Sequence, residues 1–451
     1  MRILIAGGGD VALLIASRLI REGNDVVLVE QDAARCEQLE EALDAKVVRG
    51  NATSVLSLRQ AGLAEADMLI AATDSDGVNV LACLIAQVES NVQVKVARMT
   101  THEVDHWRRI TKEAGLEIDL IIHPESDVSD RIMRVLNYPG VSDILEFAGG
   151  EALLFGMNIE SDSWLCGKNL AEIENASPPT NSLIAMIFRG PQVIIPHGIE
   201  KLQQGDHVYG MATRDNLEEV LEFMGIETHK ELKRIFVVGG KQIGIRIAEI
   251  LEDENVQIKL FETNQERCKK ISTILDKAIV IHGDGTDQKT LLAENVEGVD
   301  AFLALTNDDE DNIIASLLAR RLGVKKVVAL VNRLSYLPMV QRLGVNATVS
   351  PRLEAVDRIL QFVRKGRVLS VHTFREEGAE AIELLASEGS KYVGKPLSEL
   401  QFPSGVIAGA IARPDGQVVI PRGNAVIEVG DRIIFFALES AVKDLESAFL
   451  S

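Results

Sequence analysis

The chain has 451 residues, 46% of them hydrophobic, with a formal net charge of −20. It can bury several cores, but it is a poor partner for nucleic acid or anionic lipid. Cys36, Cys83, Cys166 and Cys268 stand far apart with no CxxC pair, no apolar run approaches 18 residues, and the first strand begins at residue 3; the expectation is a soluble cytoplasmic protein without signal peptide or membrane span.

Ile3-Leu4-Ile5-Ala6 is a short apolar run, as expected of a strand buried on both faces of a parallel sheet. It ends at Gly7-Gly8-Gly9-Asp10-Val11-Ala12, after which Leu14, Ile15, Leu19 and Ile20 follow at helical spacing. A second run, Val26 to Val29, ends on Glu30, 18 residues beyond Ala12. Strand, Gly-rich turn, helix and strand closing on an acid predict a dinucleotide-binding unit. Gly7 makes the tight turn, and Gly9 carries no Cβ to keep the backbone from a pyrophosphate. The helix start offers unpaired N–H groups to phosphates. A carboxylate at Glu30 accepts from ribose hydroxyls and repels a 2′-phosphate, which disfavours NADP.

A polar helix near Cys36 to Leu43 comes next, then strands at Lys46–Arg49, Asp67–Ala72, Val92–Arg98 and Leu120–Ile122. Gly50-Asn51-Ala52-Thr53 forms a loop in which Thr53 is placed to cap the next helix. Alternating strands and helices predict a doubly wound parallel sheet. Thr73 and Asp74 end the fourth strand and Arg98 ends the fifth, on the carboxyl edge where such sheets bind ligands. A guanidinium at Arg98 suits phosphate oxygens.

From about Gly140 the texture changes to a compact α+β module, with a short helix near Leu170–Ile173, a hairpin at Ser182–Arg189 and Gln192–Pro196, and another strand starting at Gly205-Asp206-His207-Val208-Tyr209. The whole pattern then returns. Gly239-Gly240-Lys241-Gln242-Ile243-Gly244 answers the first turn, and Glu262 answers Glu30. Gly283-Asp284-Gly285-Thr286 answers the Asn51 loop, and Thr306-Asn307 with Asp309 and Asn312 answers Thr73-Asp74 with Asp76 and Asn79. Arg333 answers Arg98, and Tyr392 to Ile433 repeats the small module. The boundaries are placed at 1–138, 139–225, 226–366 and 367–451. The fold class is α/β: two Rossmann-like doubly wound sheets, each followed by a small α+β domain, in tandem duplication. Lys241 replaces the second conserved-spacing glycine and either hinders a pyrophosphate or pairs with it.

No GxSxG elbow is present, and no histidine stands near a cysteine at zinc spacing. His102 and His106 lie one helical turn apart and suit a surface helix face better than a metal pair, and Asp308 to Asp311 suit a solvated acidic loop better than a cation site. No catalytic residue and no metal ligand is assigned.

The doubled arrangement, with its GxGxxA/G turns, GDxT-like loops, TxxDxxN motifs and paired small modules, resembles the regulator-of-potassium-conductance (RCK) family over essentially the whole chain. The resemblance implies a nucleotide-sensing regulatory subunit, peripheral at the inner face of the cell membrane. It would gate a membrane potassium-uptake transporter of the Trk type, with no chemistry of its own. It implies NAD⁺ or NADH, or ATP or ADP, as ligand. First-half contacts would come from Gly7, Gly8, Gly9, Asp10, Val11, Glu30, Asn51, Ala52, Thr73, Asp74 and Arg98. Second-half contacts would come from Gly239, Gly240, Lys241, Gln242, Ile243, Glu262, Asp284, Thr306, Asn307 and Arg333. It also implies a homo-oligomer of four chains, which the apolar stripes of Asp130–Asn137 and Ala355–Lys365 would join. The competing reading is an NAD-dependent oxidoreductase, which needs an acid–base pair beside the nicotinamide that neither small module offers.

Overall fold

The computed structural model describes residues 1–101, 104–138, 140–190, 192–196, 198–228, 232–363, 368–374 and 378–449. His102 and Lys365 lie outside them. The first repeat runs β1 (Arg2–Ala6), α1 (Asp10–Arg21), β2 (Asp25–Glu30), α2 (Ala33–Ala42), β3 (Lys46–Arg49), α3 (Val55–Gln60), β4 (Met68–Ala71), α4 (Asp76–Glu89), β5 (Val94–Arg98), α5 (Val104–Glu113), β6 (Leu120–Ile122) and α6 (Pro124–Leu136). Among the described residues its strands form one parallel six-stranded sheet, ordered β3-β2-β1-β4-β5-β6. The order reverses beside β1, so the carboxyl ends of β1, β2, β4 and β5 face one crevice.

The small module follows as β7 (Asp143–Phe147), β8 (Ala152–Asn158), α7 (Leu170–Asn175), β9 (Ser182–Arg189), β10 (Gln192–Ile194), β11 (His207–Thr213) and α8 (Leu217–Phe223). Its strands make an antiparallel sheet with β9 and β10 as the expected hairpin.

The second repeat runs β12 (Arg234–Val238), α9 (Gln242–Asp253), β13 (Gln257–Glu262), α10 (Gln265–Ile271), β14 (Ile279–His282), α11 (Gln288–Ala293), β15 (Ala301–Ala304), α12 (Asp309–Arg321), β16 (Lys326–Leu330), α13 (Leu337–Arg342), β17 (Ala347–Val349) and α14 (Pro351–Val363). Its sheet order, β14-β13-β12-β15-β16-β17, copies the first. Another antiparallel sheet comes from β18 (Val368–Phe374), β19 (Ala379–Leu385), β20 (Val406–Ala412), β21 (Val418–Val419) and β22 (Arg432–Leu438), with α15 (Glu439–Phe449) at its end. Tandem duplication of a Rossmann-like sheet plus an antiparallel sheet is therefore the architecture. No helix of the described residues is long and apolar enough to cross a membrane.

Two compact units divide the chain, and they cut across the repeats. One holds Met1–Asp127 with Pro351–Val363; the other holds Val128–Ser350 with the described residues after Arg364. In the first, α14 packs on α1 and β6, burying Ala355, Val356, Ile359 and Leu360. In the second, Val128, Ile132, Val135 and Leu136 of α6 enter one core with Ile235, Val237, Ile247 and Leu251. Each closing helix thus lies on the other repeat's sheet. This corrects the expectation that these stripes join separate chains. Burying an aliphatic side chain is worth roughly 1.5–3 kcal/mol, and the two helices meet that demand inside one polypeptide.

The second unit also holds the small modules. Leu145, Phe147, Phe188 and Met211 share a core with Phe374, Ala381, Ile434 and Phe436, so the two antiparallel sheets pack together. At the start of β16, Lys326 is 1% exposed and donates from Nζ to the carbonyls of Tyr138 and Val141 in the linker after α6. Burial pulls this ammonium from its ordinary 10.5 down to about 7, although the Asp143 charge opposes the shift. The unfolded chain keeps this proton up to about pH 10.5 and the folded chain releases it near 7, so the unfolded state binds more protons in between. Stability should therefore rise from pH 7 towards pH 9.5. Urea unfolding at several pH values should show that slope in the natural chain and a flatter one in Lys326→Met.

Candidate nucleotide-binding sites

The first site grows from the turn after β1. Gly7 sits at φ +111°, and a Cβ there would lie 3.0 Å from the Ala72 carbonyl oxygen and Thr73, so only glycine suits the turn. A Cβ on Gly8 would strike Leu39 at 2.6 Å. Gly9 is different: nothing lies within 4 Å of a Cβ built there. It is the N-cap of α1 at φ −63° and supplies no side-chain cap, whereas Asp32 caps α2 and Ser54 caps α3. The opening N–H groups of α1, at Asp10 and buried Val11, are left to an anion.

Glu30 ends β2 beside this loop. Its Oε2 accepts from Gly8 N–H at 2.7 Å and its Oε1 from Asp32 N–H at 2.8 Å. The carboxylate therefore fastens strand to loop, a structural role beside any part in ligand binding. Its remaining lone pairs are those a ribose would use.

On the other side of the crevice Arg98 ends β5, paired with Asp74 at 3.2 Å and Glu125 at 3.3 Å. Asp74 is almost fully exposed, so a phosphate can replace it at little cost. Thr73 turns into the structure: its N–H and hydroxyl both donate to Asn79 Oδ1, at 2.9 and 2.7 Å. Asn79 is 0% exposed and its Nδ2 donates to the carbonyls of Thr73 and Arg98, at 3.0 and 2.8 Å. One amide pins β4 to β5 and sets the crevice geometry. Asn79→Ala leaves these groups unsatisfied, and chemical unfolding should show a loss of about 2–4 kcal/mol.

Thr53 departs from expectation. Asn51 Oδ1 accepts from Thr53 N–H and hydroxyl, both at 2.8 Å, closing its own loop, and Ser54 rather than Thr53 caps α3. Ala52 is buried beneath them.

The second repeat reproduces the frame and alters the charges. Asn312 ties Thr306 to Leu330 as Asn79 ties Thr73 to Arg98, and Asp284 closes its loop on Thr286. Leu330 rather than the expected Arg333 therefore stands in the place of Arg98, while Arg333 matches Thr101 further on. Gly239 keeps φ +110° and buried Gly240 donates to Glu262 at 3.2 Å. Glu262 also accepts from Asn264 N–H and from Arg267. Burial pushes its carboxyl up, but the Asn264 N–H, Arg267 and Gly240 N–H together hold it below the usual carboxylate range. Lys241 occupies the N-cap where Gly9 leaves open space, with Gln242 and Ile243 starting α9. Arg333 is held by Glu310 and the Tyr336 hydroxyl, both at 2.7 Å, and Asn307 is exposed.

The acidic run is a set of caps. Asp308 accepts from Asp311 N–H, and Asp309 accepts from the N–H groups of Asn332 and Arg333. Burial and the charges of Asp308, Asp284 and Glu310 push the Asp311 carboxyl up.

The sequence reading missed Asn79 and Asn312 as positioning residues, although the repeated TxxDxxN spacing marks both. It also missed Arg35, whose Nε donates to the Gly8 carbonyl at 2.6 Å.

Against known proteins, the TrkA-N domain matches residues 3–124 and 235–351, and the TrkA-C domain matches 154–225 and 381–450. The chain is 37% identical to the Trk system potassium uptake protein TrkA of Halomonas elongata, over 100% of this chain and 98% of that one. The chain belongs to the TrkA family. It is 35% identical to the protein of the same name from Azorhizobium caulinodans, again over 100% and 98%. Identity to a TrkA homolog of Methanosarcina mazei is 34% over the full length of both. Among solved structures, the GsuK RCK domain superposes with a TM-score of 0.61 at 19% identity, covering 100% of this chain and 95% of that one. The GsuK channel bound to NAD gives 0.60 over 100% and 79%. For this TrkA-family chain those likenesses establish an RCK-type fold, in which the open Gly9 crevice and its Lys241 counterpart occupy equivalent places.

Proposed function

We propose that the chain is a nucleotide-sensing regulatory subunit of a Trk-type potassium-uptake system, without catalytic activity. One observation carries this: the first crevice joins an uncapped helix start above Gly9 with Glu30 and Arg98 on one sheet edge. Its relatives' name supplies the transport system. Adenosine nucleotides fit the donor set, with ribose at Glu30 and phosphates between the α1 start and Arg98. A ligand shifts a conformational equilibrium only by its differential affinity for the two states. Nucleotides differing in phosphate number meet Arg98 and its two carboxylates differently, and coupling of about 1–3 kcal/mol is typical of allosteric control. Four chains assembling beneath the transporter would bring the protein to the membrane through that partner.

The test is potassium flux in vesicles containing the transporter, with and without this chain, under ATP, ADP and NADH. Flux that depends on both chain and nucleotide is expected. Equal flux throughout, or steady NADH turnover with a small substrate, would overturn the reading. At the second site, Lys241→Gly is expected to raise NADH affinity by about tenfold, since it clears the approach to the pyrophosphate. Calorimetry on a Gly9→Asp background isolates that site.

A further inference from the structure

Asp10, the first residue of α1, carries a guanidinium on each oxygen. Arg35 Nη2 reaches Oδ1 at 2.8 Å, and Arg352 Nη2 reaches Oδ2 at 2.7 Å. Arg35 is local, from α2. Arg352 comes from 342 residues along the chain, in the first turn of α14, the helix that the second repeat lends to the first unit. Both arginine side chains are 25% exposed and Asp10 is 50% exposed. Two cations and one anion therefore stand beside the open Gly9 turn, where the phosphates of a nucleotide would lie.

The second repeat lacks this arrangement. Gln242 takes the place of Asp10, Glu125 takes the place of Arg352 in the first turn of α6, and the counterpart of Arg35, Arg267, turns to Glu262 instead. The charged triplet occurs at the crevice whose glycine is open and is missing where Lys241 fills it. Surface ion pairs contribute little to stability, so fastening α14 is better explained by its buried apolar stripe than by this pair.

We propose that Arg352 is a specificity-determining residue of the first nucleotide site, reading the terminal phosphate of a nucleoside di- or triphosphate. The inference rests on the nucleotide reading above. Without ligand, Asp10 holds Arg352. A terminal phosphate carries two negative charges and free oxygens for bidentate pairing, so it outcompetes a partly exposed carboxylate. An internal pyrophosphate, with one charge per phosphorus and both ends esterified, has less to offer. Because Arg352 opens a helix of the second repeat, phosphate capture at the first site acts directly on that helix, and occupancy is transmitted along the chain.

The experiment is calorimetry of the full chain with ATP, ADP and NADH, comparing the natural protein with Arg352→Gln, Arg352→Lys and Asp10→Asn, and with Gly9→Asp to subtract the second site. Arg352→Gln should weaken ATP binding by about tenfold and leave NADH within about twofold. Arg352→Lys should recover part of the loss. Asp10→Asn, which removes the competing carboxylate, should tighten ATP. Unchanged ATP affinity in Arg352→Gln, or equal loss of ATP and NADH, would overturn the role of Arg352 while leaving the site itself standing. A natural protein that binds none of the three would overturn the nucleotide reading, and this proposal with it.

Discussion

Gly9→Asp is expected to lower adenine-nucleotide affinity at the first site by about a hundredfold, since a like charge set against a phosphate costs several kcal/mol. The fold should not suffer. Gly9 is exposed, its φ of −63° suits any residue, and nothing lies within 4 Å of the added Cβ. An aspartate at a helix N-cap even favours the helix, because its carboxylate accepts from the N–H groups that would otherwise bind phosphate. The variant thus closes the anion site with a better cap. Gly7→Ala is the contrasting control: at φ +111° with the Ala72 carbonyl 3.0 Å away, it should lose stability as well as binding. Thermal unfolding and calorimetry separate the two. Unchanged ATP and NADH affinity in folded Gly9→Asp would remove the first crevice as a nucleotide site.

Arg131→Met should destabilise the second unit by about 3–5 kcal/mol, the cost of leaving a buried charge without its partner. Arg131 on α6 reaches Asp143 on β7 through Nε at 3.0 Å and Nη2 at 2.5 Å, and both residues are buried. Burial pushes the Asp143 carboxyl up, but Arg131 and the nearby His372 and His207 outweigh it and hold the carboxyl below its usual range. Tyr209 donates to the same carboxylate at 3.4 Å, and Lys326 fixes the intervening linker from β16. Elements of both repeats meet there, so the pair sets where α6 leaves the second Rossmann core and enters the small sheet. Arg131→Met with Asp143→Leu should recover much of the loss, because apolar replacement of a whole buried pair is often neutral. Urea unfolding of the two single variants and the double variant measures the coupling. A change below about 1 kcal/mol in Arg131→Met would show that water or another group already satisfies Asp143.

Local rules made much of this molecule legible from its residues. Ile3–Ala6 and Val26–Val29 read as buried parallel strands because their apolar runs are continuous, and they pair in register as β1 and β2. The Gly7–Gly9 turn, Glu30 and Arg98 could be put on one edge because a parallel sheet brings all its carboxyl ends together. The repeat of Thr73, Asp76 and Asn79 as Thr306, Asp309 and Asn312 marked the duplication, and the structure gives both asparagines the same four hydrogen bonds. Such signals survive in sequence because each is set by backbone geometry within a few residues, or by the repeated order of strands.

Other features needed the tertiary structure. The apolar stripe of α6 declares that Ile132, Val135 and Leu136 must be buried, but burial is non-directional and does not name the surface that covers them. Only the fold decides that α6 lies with Ile235 and Leu251 and that α14 lies on α1. The meeting of Arg352 with Asp10, and the choice of Asp143 rather than solvent by Arg131, follow from that exchange. Partners 342 residues apart, as Arg352 and Asp10 are, leave no spacing to read. The sequence by itself determined which elements form and which edge holds the crevice, because those depend on local backbone chemistry; which repeat covers which depends on complementary surfaces that exist only once the sheets are built.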